Sequence, residues 1–181
     1  MFAVAVLSVL IVGMGAWSVW LMTEKAALLK LLHTDELTGV KTRRSFFEAV
    51  RKRHNKSSNE TKRRLVFIDM DSLKMLNSAG GHYAGDQALR EIGAALNSFC
   101  FKGEYVGRYG GDEFLLMLTD DPLSVEHRLI VLNQSLEPSH RFTWAHASFQ
   151  PDQDMETQVN ALSLSVLTQK NEQTRFFSDS F

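Results

Sequence analysis

Two solid apolar runs, each abutting paired acids, constrain most what this chain can fold into. Leu65-Val66-Phe67-Ile68 runs straight into Asp69-Met70-Asp71, and Phe114-Leu115-Leu116-Met117-Leu118 directly follows Arg108-Tyr109-Gly110-Gly111-Asp112-Glu113. Runs of four or five apolar residues bounded by turn signals read as strands buried on both faces. The glycine pair between the YVGRY and FLLML segments predicts a two-residue hairpin turn, with Gly110 and Gly111 supplying the backbone freedom it needs. A GGDE turn alone is equally a solvated hairpin tip. Two buried strands ending in carboxylates shift that reading, because they bring hard oxygen ligands to one sheet edge. Such an edge suits Mg²⁺ and the phosphates it carries.

The rest of the chain supplies layers for those strands. Phe46, Phe47 and Val50 predict an amphipathic helix from about Arg43 to Arg53, and the polar HNKSSNET segment from His54 to Thr61 reads as a loop. After Asp86, the residues Leu89, Ile92, Ala95, Leu96 and Phe99 recur at helical spacing, so a core-facing helix is expected there. Ser124–Leu136 reads as a helix, Arg141–Phe149 as a strand and Gln158–Gln169 as a closing amphipathic helix. The order helix, strand, helix, hairpin, helix, strand, helix argues for an α+β fold rather than a doubly wound sheet. With 181 residues, one well-buried domain and a small appendage fit.

The appendage is N-terminal. Residues 1–22 carry no charged side chain and close on Trp17, Trp20 and Leu21, which is enough to span a bilayer core with an aromatic belt. A cleaved signal peptide is the rival reading, but it wants a basic n-region that the segment lacks. Lys25, Lys30, Lys41, Arg43 and Arg44 all follow the span, placing the remainder in the cytoplasm by the positive-inside rule. The organisation expected is a transmembrane helix over 1–22, a linker helix over 23–33 and one domain over 34–181. Met22, Ala26, Leu29 and His33 fall at 4-3-4 spacing, either a short dimer seam or a plain linker helix. Residues 41–64 hold ten Lys or Arg against two acids, a solvated face or a segment drawn to anionic lipid. A net charge of −1 gives no argument for a nucleic-acid polymer as partner, and the lone Cys100 excludes an intramolecular disulfide.

From Asp35 onward the chain resembles the GGDEF family of diguanylate cyclases. Four motifs carry the resemblance in family order: Asp35-Glu36-Leu37-Thr38-Gly39 with Arg43-Arg44, the FIDMDSLKMLN segment ending at Asn77, the GGHYAGD segment ending at Asp86, and Gly110-Gly111-Asp112-Glu113-Phe114. The resemblance implies a palm-like, ferredoxin-like α+β sheet shared with nucleotide cyclases, and condensation of two GTP into cyclic di-GMP. It implies two Mg²⁺ per active site, with Asp69, Glu113 and the Met70 carbonyl as ligands and Asp112 and Glu113 as catalytic acids. Lys74 and Lys170 would contact phosphate, Asn77 and Asp86 would read guanine, and Leu73 would line the nucleotide site. Asp86 also suits the N-cap of the helix that follows it. His82 reads as structural, and Asp35 is expected to pair with Arg44. Each protomer would hold one GTP, so a homodimer is required. The expected location is a bacterial inner membrane, single-pass. About 30 residues before the motifs leave no room for a sensory domain, so regulation would fall to expression, clustering or a protein partner.

Departures from the family pattern are also legible. Asn77-Ser78 stands where Asn-Asp is usual, and Thr42 stands where Asn is usual. The inhibitory product site usually carries Arg-x-x-Asp, and here those positions are Phe101 and Glu104. An aromatic ring cannot make guanidinium contacts, so no standard feedback site is expected. The tail lacks the usual Ser-x-Gly strand and Gly-Arg-Asn closure. Lys170 with Thr174, or Gln169 with Gln173 one residue earlier, occupies the usual cation positions. The alternative function is therefore a catalytically weak or inactive GGDEF module that binds GTP or proteins.

Overall fold

A computed structural model describes residues 13–25, 33–54, 63–119 and 121–178 of the chain. Helix α1 is described over residues 13–25 and its side chains are exposed. The rest runs β1 (Lys41–Thr42), α2 (Arg43–His54), β2 (Arg64–Met70), α3 (Leu73–Phe99), β3 (Tyr105–Arg108), β4 (Glu113–Leu118), α4 (Pro122–Ser135), β5 (Phe142–Ser148) and α5 (Met155–Ser178). Among the described residues no helix is long and apolar enough to cross a membrane. Residues 1–12 of the expected span, and 26–32 of the expected linker and seam, lie outside the described residues.

The five strands form one sheet in the order β1-β3-β4-β2-β5. Only β1 and β3 run parallel; β3–β4, β4–β2 and β2–β5 are antiparallel. From β2 to β5 the succession is β-α-β-β-α-β, the ferredoxin-like arrangement, with β1 added beside β3. The expected α+β element order therefore holds, and β1 is an element too short to read from hydrophobic periodicity.

Strand alternation divides the core in two. Val66, Ile68 and Met70 of β2, with Phe114, Leu116 and Leu118 of β4, pack against Ala88, Leu89, Ile92 and Leu96 of α3 and Val125 and Leu129 of α4. Leu65, Phe67, Leu115 and Met117 point the other way, onto Phe46 and Val50 of α2 and Val159, Leu162 and Val166 of α5. Helices thus cover both faces of β2 and β4, which explains why these strands are continuously apolar. Cys100 packs at the margin of the first core, where burial and the nearby Glu104 push its thiol up to about 12.

Several local expectations are corrected. Helix α3 begins at Leu73, well before Asp86, and is broken at Gly81, whose φ of 70° favours glycine. Asp86 therefore lies within a helix and caps nothing. Asp35 pairs with Arg108, not Arg44, because the loop 35–40 packs against the hairpin while Arg44 bonds Glu48 one helical turn away. Within the basic segment, Arg43 binds Glu156 at 2.5 Å, Lys41 lies over the Tyr105 ring, and Arg64 donates to His146 and Ser148. Those three cations are engaged within the domain.

Candidate active site

Register brings the two acidic clusters together. Asp69 lies directly opposite Glu113 on one neighbouring strand and Thr143 on the other. Directly opposed residues project on the same side of a sheet. Alternation along β2 puts Asp69 on the side of Leu65 and Phe67, the side covered by α5. Asp71, just past the strand, is held by Thr143, whose hydroxyl donates to Asp71 Oδ1 at 2.7 Å, and its N–H donates to Arg141 O at 3.0 Å. The Met70 N–H donates to the Asp112 carbonyl at 3.2 Å, tying the hairpin to the end of β2.

The turn itself differs from the expected two-residue hairpin. Arg108 pairs with Phe114, and the Tyr109 N–H donates to Glu113 O at 2.8 Å, so the connection spans four residues, 109–112. Neither Gly110 nor Gly111 has a positive φ. Their smallness acts through space instead. A Cβ on Gly110 would lie 2.5 Å from Glu113 Oε2, whereas one on Gly111 would meet nothing within 4 Å. Gly110 lets the Glu113 carboxylate fold back over the turn, and Gly111 leaves the tip open.

Arg108 braces this turn, a role the sequence analysis did not assign. Its Nη2 donates to Gly111 O at 2.6 Å and its Nε to the Gly110 and Gly111 carbonyls, while Nη1 reaches Asp35 Oδ1 at 3.2 Å. Burial alone would raise the Asp35 carboxyl, but bonds from Thr38 and Arg108 outweigh it and hold the pKa below its ordinary value. A second brace joins the hairpin to α5: Glu156 accepts from Tyr109 Oη at 3.0 Å and from Arg43, whose guanidinium stacks 4.3 Å from the Tyr109 ring centre. A charged residue two positions before a glycine pair is the sequence signal for Arg108. Glu156 carries no such signal, since its partners lie 47 and 113 residues away.

The expected nucleotide-binding residues divide into two groups. Leu73, Lys74 and Asn77 lie on the first segment of α3, and Asp86 lies beyond the Gly81 break. Asn77 packs onto Gly85, where a Cβ would collide with its amide. The break thus brings Asn77 against the neighbour of Asp86. The Asn77 Oδ1 atom is buried without a hydrogen-bond partner among the described residues. Lys74 is exposed.

Lys170 comes from α5 and sits on the carboxylate edge. Its Nζ bonds Asp69 Oδ1, donates to the Met70 carbonyl at 2.9 Å and lies 3.1 Å from Asp71 Oδ1. Gln169 and Gln173 line a groove of about 880 Å³ along β5 instead, so of the two helical registers it is Lys170 that faces the site. Burial raises the Asp69 carboxyl, opposed by Lys170 and reinforced by Asp112 and Asp71. Burial also raises Glu113, reinforced by Asp69 and Asp112, with Arg43 and Lys170 pulling the other way.

This donor set fits a hard divalent cation. Among the described residues no three His, Cys, Asp or Glu side chains converge as a closed metal cage. Mg²⁺ does not need one, since it is ordinarily held by one or two carboxylates with water and substrate phosphate completing an octahedron. Asp69, Glu113 and the Met70 carbonyl supply three such oxygens, and an ammonium already rests on two of the three residues.

The usual place of the product-binding pair is filled by a structural cluster. Glu104 Oε2 accepts from Phe101 N at 2.9 Å and Arg128 Nη2 at 2.8 Å, and its Oε1 accepts from Thr119 N and Arg128 Nη1 at 3.0 Å each. The Arg128 guanidinium lies 4.6 and 4.2 Å from the Phe99 and Phe101 ring centres.

Comparison with known proteins places these features in one family. The family model described as "Diguanylate cyclase, GGDEF domain" matches residues 32–162. The diguanylate cyclase DgcP of Escherichia coli is 40% identical over 93 residues, covering 51% of this chain and 27% of that protein. DgcN, a diguanylate cyclase of the same organism, is 35% identical over 107 residues, covering 59% and 26%. The chain thus spans about a quarter of the length of these curated relatives. The crystal structure of the coiled coil and GGDEF domain of DgcB from Caulobacter crescentus, in complex with c-di-GMP, superposes with a TM-score of 0.79 at 19% identity, covering 92% of this chain and 95% of that one. At that identity the likeness is one of fold. With its ferredoxin-like sheet, its GGDEF hairpin opposite Asp69 and a family match over most of its length, this chain belongs to the GGDEF family.

Proposed function

We propose that this domain is a diguanylate cyclase, joining two GTP into cyclic di-GMP with release of two pyrophosphates. One observation carries the reading: register sets Asp69 against Glu113, and Asp69 and the Met70 carbonyl already attract a cation. Mg²⁺, when bound there, would offset phosphate charge and polarise the reacting oxygens. Asp69, Glu113 and the Met70 carbonyl would hold it.

The chain's own residues supply binding and positioning. Asp86 accepts from the guanine N1 and N2 donors, and Asn77, with its unpartnered buried oxygen, offers an acceptor at the same corner. Lys74 and a released Lys170 would contact phosphate oxygens as point charges. The 3′-oxygen of one GTP attacks the α-phosphorus of the other, and the bond to pyrophosphate breaks. The proton leaves the 3′-hydroxyl for Asp112 or Glu113. The same step, reversed in role, closes the ring. Since one protomer offers one such site, two chains must face each other.

The direct test incubates the purified chain, free and artificially dimerised, with GTP and Mg²⁺. Cyclic di-GMP formation, greater in the dimerised sample, is expected; none in either sinks the reading. A second reading, a GGDEF module without turnover, is favoured by Lys170 resting on Asp69 and the Met70 carbonyl and by Thr174 standing where a second cation is expected. In that case GTP binds and no product forms. For residues 1–22 we propose a membrane anchor with the domain in the cytoplasm, supported by the charge-free sequence and the basic residues that follow. Resistance to carbonate extraction, with a cytoplasmic reporter signal after Phe181, is expected. A mature soluble product starting near Trp17–Thr23 would overturn it.

A further inference from the structure

We propose that Lys170 is a built-in counterion that closes the divalent-cation site of the free domain and must leave when that site is loaded, so that α5 reports occupancy. The inference rests on the reading of Asp69, Glu113 and Met70 O as cation ligands, and adds a competitor from the same chain.

An ammonium has three N–H donors and no acceptor. Lys170 finds three oxygens around it: Asp69 Oδ1, Asp71 Oδ1 at 3.1 Å and the Met70 carbonyl at 2.9 Å. The side chains of Lys170, Asp69 and Asp71 are 25%, 26% and 35% exposed, so the pair is shielded from full solvent screening. Two of these oxygen-bearing residues are the ones a divalent cation would need. Both cations cannot share them: a Mg²⁺ drawing Asp69 and Met70 O to about 2.1 Å would face an ammonium within a few ångströms. The site therefore binds either its lysine or a metal ion.

Architecture makes this exchange possible. Upstream, α5 is anchored by buried Val159, Leu162 and Val166, while residues 171–175 beyond Lys170 are exposed. Lys170 ties its turn of the helix to the sheet edge through Asp69, so its release would loosen that turn without unseating the core. Where a binding-competent state is only partly populated, apparent affinity falls by that fraction. A lysine seated nine-tenths of the time would weaken divalent-cation binding about tenfold.

The test uses Mn²⁺ alone, followed by the loss of its free-ion paramagnetic resonance signal on titration into the full chain without nucleotide. Lys170→Met is expected to bind Mn²⁺ about tenfold more tightly than the unsubstituted chain. Lys170→Gln repeats the measurement should the Met variant fail to fold. Independently, saturating Mn²⁺ should accelerate hydrogen exchange of the unsubstituted chain's amides near residues 170–174. Equal or weaker Mn²⁺ binding by both variants, or unchanged exchange, overturns the counterion role and leaves the metal reading standing. Absence of Mn²⁺ binding in every chain, with and without GTP, overturns both.

Discussion

The two ends of the β3–β4 hairpin each bury acids, and they treat them oppositely. At the open end Glu104 is 7% exposed and meets two backbone N–H groups and both arms of Arg128. Burial alone would raise its carboxyl, but those bonds overcome it and hold the pKa below the ordinary value. At the turn end Asp69 and Glu113 face each other on neighbouring strands, with one lysine set on Asp69 and Asp71, and both are raised. A carboxylate with all its lone pairs answered holds a fold together. Carboxylates left short of partners on a buried strand edge weaken the fold and wait for a cation.

The largest expected effect tests the turn end. Glu113→Gln keeps the side-chain shape and removes one of the proposed metal carboxylates, so cyclic di-GMP synthesis should fall by roughly a hundredfold or more, several kcal/mol of charge stabilisation. Circular dichroism should show the fold intact. Activity equal to the unsubstituted enzyme would remove Glu113 from the site.

At the open end the effect is on stability. Arg128→Met leaves Glu104 buried and ionised without its partner, which should cost about 3 kcal/mol in denaturant unfolding. Adding Glu104→Gln should recover part of that loss. A loss below about 0.5 kcal/mol would mean the pair contributes no more than an exposed ion pair.

A pH series separates the two ends more finely. Asp69 and Glu113 have folded pKa values above their unfolded ones, so their contribution to stability is present at low pH and lost as pH rises from roughly 4 through the raised values. Glu104, depressed on folding, contributes above its unfolded pKa and loses that contribution as pH falls through the folded value. Glu113→Gln should therefore raise the metal-free melting temperature at pH 7 by about a degree or more, and the gain should vanish near pH 4. A melting temperature lowered at pH 7 would contradict the unfavourable charge assigned to Glu113.

The smallest expected effect is none. Cyclic di-GMP should compete only weakly, at the GTP site, and Phe101→Ala should leave that inhibition unchanged, because Phe101 serves as a face for Arg128. Tight non-competitive inhibition, relieved by changing Glu104, would return a product site to this end of the hairpin.

Sequence pattern alone set the four longer strands, the order of the longer elements and the chemistry of the edge. Short unbroken apolar runs bounded by turn signals read as strands covered on both faces, and acids that end such strands emerge at the sheet edge. Local pattern also carried the α2, α4 and β5 assignments to within a few residues, and found α5 while ending it at Gln169, well short of Ser178. It missed what depends on distant partners. The helical turn from Leu73 is weakly amphipathic, and only the break at Gly81 folds Asn77 onto Gly85. The choice of Arg108 over Arg44 for Asp35 is made by how a loop docks on a hairpin 73 residues away. The register of the last helix was ambiguous by one residue in the sequence, and a one-residue shift turns a helix by about 100°. Only packing of Val159, Leu162 and Val166 on the sheet decides that Lys170, rather than Gln169, meets Asp69. Periodicity records which face of an element is apolar, but the partner that face meets is set by the closure of the whole chain.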